Sequence, residues 1–221
     1  IPSRTGVIGE DSASLYYIDN DGQRYRLPSN LQNQPFLLNT DVHPAGYALG
    51  NGRLCREVAT ERDLFHLDGI FYELPADNAG GFSKIRPISS HQMQVNDYCS
   101  YRGMMVMSGV NLKRAAAVDN PNIVVSEDGK VALWVGAVDD LWKLGKPRGS
   151  ANLWPYGGVK ANEPSDPMLF NGFDEKWMVF HSNVDCKVTL ELDITGDGDW
   201  QPYQEMAVSA GEGNRLVFPS D

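Results

Sequence analysis

The chain has no uninterrupted apolar run of roughly 18 residues, so no membrane-spanning helix is expected. Long stretches of helical periodicity are missing too, which removes helix bundles and α/β layers from consideration. The familiar catalytic signatures are absent: no Gly-x-Ser-x-Gly elbow, no phosphate-cradling glycine loop, no His-Glu-x-x-His and no Cys-x-x-Cys. Cysteine is scarce. Cys55, Cys99 and Cys186 form an odd set without metal-like spacing, compatible with one disulfide plus a thiol or with three buried thiols. Positive charge is also in short supply, with 19 Lys and Arg against 29 Asp and Glu, a net charge of −10 and a pI near 4.8. That balance opposes a polyanion at long range and argues against a nucleic-acid partner. An acidic glycan held at a local basic patch stays compatible with it. The sequence starts Ile1-Pro2, with neither an initiator Met nor a signal-peptide core. A piece of a longer protein, or one relieved of its leader, is therefore expected.

What is present points to β-structure. Hydrophobic residues make up 42% and charged residues 22%, enough to bury a core. Twenty-two glycines and 13 prolines are spread along the chain without a period, as turns between many short strands require. Three segments repeat one design: Ile18 to Pro28, Phe65 to Pro75 and Val125 to Trp134 each place Asp-Gly between two strand-like runs. Asp-Gly favours tight hairpins because such turns need positive φ. The glycines are 69 − 22 = 47 and 129 − 69 = 60 residues apart, near the about 40 to 50 residues of a four-stranded blade. The fold expected is all-β: β-propeller blades over residues 1–150, an incomplete set, followed by a β-sandwich-like module over 151–221. The breaker cluster Gly145-Lys146-Pro147-Arg148-Gly149-Ser150 marks the division. Tyr101 to Gly109 is nearly all apolar and is expected to be a strand buried on both faces.

Candidate chemistry then falls on loops, at the mouth of such a propeller's channel. The segment Ser89 to Gly103 gathers His91, Tyr98 and Arg102 before the apolar strand. His66 sits in an alternating strand, and His43 precedes Pro44 in a connection. A His base, a Tyr acid and an Arg facing a carboxylate form a workable set for β-elimination at a uronic acid. The same residues serve equally as turn and cap residues, and both readings stay open. A second group, Arg86, Trp142, Arg148, Trp154 and Tyr156, combines flat aromatics with guanidinium groups. Aromatics of this kind stack on sugar C–H faces while Arg holds hydroxyls or carboxylates; the alternative is an interdomain plug. Asp193 to Asp199 alternates carboxylates as a calcium loop does, but Gln204 stands where an EF-hand needs its Glu. A hairpin turn is the simpler reading, and no cofactor is assigned beyond that weak calcium pattern.

The blocks Asp68 to Pro75, Cys99 to Gly103, Asp139 to Gly149 and Glu163 to Pro167 carry a resemblance. From about Asp63 to Ser220 the chain resembles a group of secreted bacterial proteins. More loosely, its repeats are similar to β-propeller enzymes acting on polysaccharides, uronate lyases and glycosidases among them. The resemblance implies a secreted or cell-surface protein that acts on a glycan as a polysaccharide lyase or glycoside hydrolase. The alternative is a non-catalytic glycan- or protein-binding module.

Overall fold

The computed structural model describes residues 7–11, 13–19, 22–29, 54–58, 62–67, 69–74, 85–91, 93, 95–110, 112, 120–154 and 158–220. It is 47% strand with one short helix, arranged in several small sheets of which none closes on itself. The all-β expectation holds at that level. Two compact units divide the chain, Ile1–Gly172 and Phe173–Asp221. The division read from composition, after residue 150, differs from this one by the segment 151–172.

Among the described residues the first unit holds three antiparallel sheets. β1 (Val7–Glu10), β2 (Leu15–Ile18) and β3 (Arg24–Leu27) form the first, in sequence order. β4 (Leu54–Val58), β5 (Arg62–Leu67), β6 (Ile70–Leu74) and β7 (Arg86–Ser90) form the second, again a plain meander. The third contains β8 (Asp97–Tyr101), β9 (Met104–Ser108), β10 (Ile123–Val125) and β11 (Ala132–Gly136), in the order β10-β11-β9-β8. Here the chain lays down the outer strand β10 first, then returns as β11 to pair with β9.

Each Asp-Gly segment is a hairpin, and each lies in a different sheet. β2 and β3 pair from Ile18↔Arg24, β5 and β6 from Leu67↔Ile70, and β10 and β11 from Val125↔Ala132. Gly22, Gly69 and Gly129 take φ of 83°, 76° and 68°, the left-handed region that a side chain disfavours. The loops differ in length because the first and third recruit extra ties. The Asp19 carboxylate accepts from the Gln23 N–H, and the Ser126 hydroxyl accepts from the Val131 N–H.

The main core lies between the second and third sheets. Leu64, Phe71 and Ile88 from one side meet Tyr98, Met107 and Trp134 from the other. A 3-10 helix, Val138–Leu144, closes this core with Val138 and Leu141. Asp140 sets this helix, since its carboxylate accepts from the Ala137 N–H and starts a helical turn. β9 corrects an expectation. Met105 and Met107 are buried, whereas Met104 is exposed and Val106 half-buried, so the strand faces the core on one side only. β8 alternates at its start, with Tyr98 inward and Cys99 exposed. Cys99 and Cys186 are exposed free thiols, which corrects the reading of three buried ones.

After the helix the chain runs back along the other sheets as a strap. Gly145 and Arg148 bond to Ser90 at the end of β7, and Ser150 exchanges two backbone hydrogen bonds with Ser29. Asn152 donates to the Ala13 carbonyl, and Met168 forms a parallel bridge with Arg26. Gly145 is required where it stands: its φ is 151°, and a Cβ there would lie 2.6 Å from the Ser90 carbonyl oxygen. The Tyr72 hydroxyl adds a 2.6 Å bond to the Pro28 carbonyl, tying β6 to the end of β3.

The second unit has two two-stranded sheets. β12 (Trp177–His181) pairs with β15 (Gly213–Val217), and β13 (Cys186–Leu192) pairs with β14 (Gln201–Val208). Its buried hydrophobic side chains are Phe180, Val208 and Phe218, with Tyr203 stacked on Phe218 at 5.6 Å.

Candidate functional site

Three of the five residues proposed for catalysis converge, and they converge inside the core. His66 sits on β5 opposite Phe71 on β6, directly before the Asp-Gly turn. The chain leaving β7 crosses that turn, where the His91 N–H donates to the Gly69 carbonyl at 2.8 Å. The two imidazoles then lie nearly parallel, 5.1 Å between centroids, with Nε2 atoms 3.1 Å apart. Phe71 packs on both, at 4.5 and 5.3 Å, and meets Tyr98 edge-on at 5.6 Å. The Tyr98 hydroxyl donates to the Leu64 carbonyl at 2.6 Å.

The hydrogen bonds assign the tautomers. The Met93 N–H donates to His91 Nδ1 at 3.2 Å, so a neutral His91 carries its proton on Nε2. That proton points at His66 Nε2, which accepts it. Burial disfavours a charged imidazole and pushes the His91 pKa down to about 4. At neutral pH His91 is therefore uncharged and hydrogen-bonded to its partner ring. His66 and His91 are 3% and 5% exposed, and Tyr98 is 2% exposed, so a substrate has no approach to them in this conformation. Arg102 stands elsewhere, at the β8–β9 turn with φ of 51°, its guanidinium 5.4 Å from the Tyr101 ring centroid. Along β8 it lies about 13 Å from Tyr98, at roughly 3.3 Å per residue. His43 lies outside the described residues.

The second predicted group assembles in part, and on the surface. Arg86 opens β7, and its Nε donates to Glu73 Oε2 at 2.8 Å across the β6–β7 pair. The 3-10 helix packs beside β7 and brings Trp142 under the same guanidinium, 5.7 Å from the ring centroid. Trp142 is 47% exposed. Arg148 is exposed and is placed by its own backbone, whose N–H donates to Ser90 Oγ and whose carbonyl accepts from it. Trp154 is half-buried on the strap, and Tyr156 lies outside the described residues.

Sequence reasoning missed a charged cluster on β3. The Arg26 side chain is fully buried, with Nη1 3.0 Å and Nη2 3.2 Å from the two Asp11 oxygens. Nη2 also reaches Asp166 at 2.9 Å, and Nη1 donates to Ser14 Oγ. Burial alone would raise the Asp11 pKa. The Arg26 hydrogen bond, the Ala13 and Ser14 N–H groups and the positive charge outweigh it and hold the carboxyl below its usual range. The available signal was an Arg in an inward position of an alternating strand, which calls for a carboxylate without saying which.

The acidic turn at 193–199 is a self-contained hairpin loop. Asp193 accepts from the backbone N–H groups of Gly196, Asp197 and Gly198, which occupies its oxygens. Among the described residues no group of three or more His, Cys, Asp or Glu is placed to hold a metal ion. Compared with protein-family models, with curated proteins and with solved structures, the chain matches none.

Proposed function

We propose that this chain is a non-catalytic glycan-binding protein whose recognition surface centres on Trp142, Arg86 and Glu73. One observation carries the reading. An exposed indole stands beside a guanidinium fixed by a carboxylate, while the imidazoles and phenol that could perform acid–base chemistry are enclosed among Phe71 and its neighbours. A sugar ring offers an apolar C–H face to an indole and hydroxyls that both donate and accept. Arg86 supplies donors and Glu73 an acceptor within one rigid pair. Arg148, on the strap, extends the polar rim. In the same reading the three sheets of the first unit are propeller blades, supported by the Asp-Gly hairpin that each contains.

A glycan array probed with wild type, Trp142→Ala and Arg86→Ala tests the proposal. Each substitution is expected to weaken binding about tenfold, the worth of one stacking or charge-assisted contact. Equal binding by all three proteins rejects the surface. A lyase would instead release unsaturated uronate from acidic polysaccharides and lose that activity in His91→Ala. No such release is expected from wild type.

A further inference from the structure

We infer that the exposed face of β12 and β15 is a second binding surface, selective for a carboxylate-bearing sugar. This site is separate from the one proposed above and stands on the second unit alone. The register pairs Trp177 with Val217 and Val179 with Arg215, and sets His181 opposite Gly213, so the side chains of Trp177, Val179, His181, Arg215 and Val217 share one face of the two-stranded sheet. The opposite face carries Met178, Phe180 and Leu216, and Phe180 is buried. On the outer face Trp177 is 57% exposed, Val179 45% and Val217 61%. The Arg215 guanidinium lies 4.9 Å from the centroid of the Trp177 ring.

Charge selects the occupant. The second unit has three Lys and Arg against ten Asp and Glu, a balance of −7. Lys187 is held by Glu205 at 2.9 Å. No described carboxylate comes within ion-pair reach of Arg215, in the most acidic part of the chain. The face itself contains no acidic residue, so an uncompensated guanidinium stands at the middle of an aromatic and aliphatic strip. A uronic acid answers both features, with its C–H face against Trp177 and the valines and its carboxylate on Arg215 in a charge-assisted hydrogen bond. The surrounding negative charge opposes a long polyanion and favours a short, sparsely charged oligosaccharide.

The test compares cellobiouronate with cellobiose by tryptophan fluorescence and calorimetry on the full chain. Wild type is expected to prefer the acidic sugar about tenfold, the worth of one charge-assisted contact. Arg215→Met is expected to erase the preference and Trp177→Ala to weaken binding of both sugars about tenfold, with circular dichroism unchanged. Trp142→Ala is expected to leave the preference intact, which separates this site from the first. Equal affinity of wild type for the two sugars overturns the inference. So does a Glu-rich peptide that binds more tightly than cellobiouronate with the same dependence on Arg215. A concentration-dependent dimer abolished by Trp177→Ala also overturns it, because the face is then an interface between copies.

Discussion

The two units use opposite means to stay folded. In Ile1–Gly172 a large enclosed cluster, with Trp134 and Leu141 fully buried, joins two sheets and a helix. In Phe173–Asp221 the buried hydrophobic side chains are Phe180, Val208 and Phe218, while Trp177, Val184, Ile194, Trp200 and Val217 face solvent. A unit of about 50 residues gains little from burial under any circumstances. Its order rests mainly on the β13–β14 ladder, which runs from Cys186↔Val208 to Leu192↔Gln201. The difference teaches that apolar composition alone does not locate a core. The second unit buries Phe180 and Phe218 and leaves both its tryptophans, Trp177 and Trp200, on the surface.

The strongest way to break this contrast is to empty the larger core. Trp134→Ala should cost the first unit about 4 kcal/mol, read as a lowered denaturation midpoint. Amide-exchange protection of β13 and β14 should stay unchanged. Loss of protection in both units together would show them to be one cooperative body. Removing the charge at the centre of the β3 cluster comes next. Arg26→Met leaves Asp11 and Asp166 with only the longer 3.9 Å contacts to Arg24 and should cost about 3 kcal/mol, while Arg26→Lys should recover little because one ammonium cannot match the forked geometry.

Acidification sharpens the comparison without mutation. The folded His91 pKa of about 4 lies below the ordinary value near 6.5. The unfolded chain therefore binds the extra proton. Stability is complete above pH 6.5, falls as the pH drops toward 4, and loses nothing more from this group below that. The window is worth roughly 3 kcal/mol, and His91→Phe should flatten it in a urea titration followed across pH. Asp11, depressed by its arginine, adds a loss at still lower pH, as its own folded-state pKa is crossed. A change of equal size in the exchange protection of β13 and β14 would contradict the assignment of this effect to the first unit. The smallest effect is expected at the strap. Gly145→Ala forces a side chain against the Ser90 carbonyl and should cost about 1 to 2 kcal/mol, measured by thermal unfolding, with earlier proteolysis between 145 and 172.

Much of the local structure was legible in the chain. The Asp-Gly turns announced their hairpins because positive φ is a local demand that few residues meet. The strands of the second unit were legible for a related reason, as alternating residues between glycine-rich turns. β9 was misjudged because four consecutive apolar or sulfur-bearing residues hide the two-residue period that reveals which face is covered. The helix at Val138–Leu144 was missed because a single cap, Asp140, decides it against a β-rich background. The nearness of His91 and Tyr98 could be suspected from Ser89 to Gly103, but neither the arrival of His66 from β5 nor the burial of the group. That follows from Met93 and Val95, which turn inward beside His91 and carry the connection into the core. The Arg26 cluster depends on partners far apart in sequence, and no local pattern reports such a meeting.

That separation also sets a timetable. Asp166 follows Arg26 by 166 − 26 = 140 residues, so during translation the first sheet must wait, its guanidinium lacking one of two counter-charges, until those 140 further residues have left the ribosome. Distant closures of this kind slow folding and lengthen exposure to misassembly. A nascent chain stalled before residue 166 should therefore be far easier prey for proteases at β1 to β3 than one extended well past that residue.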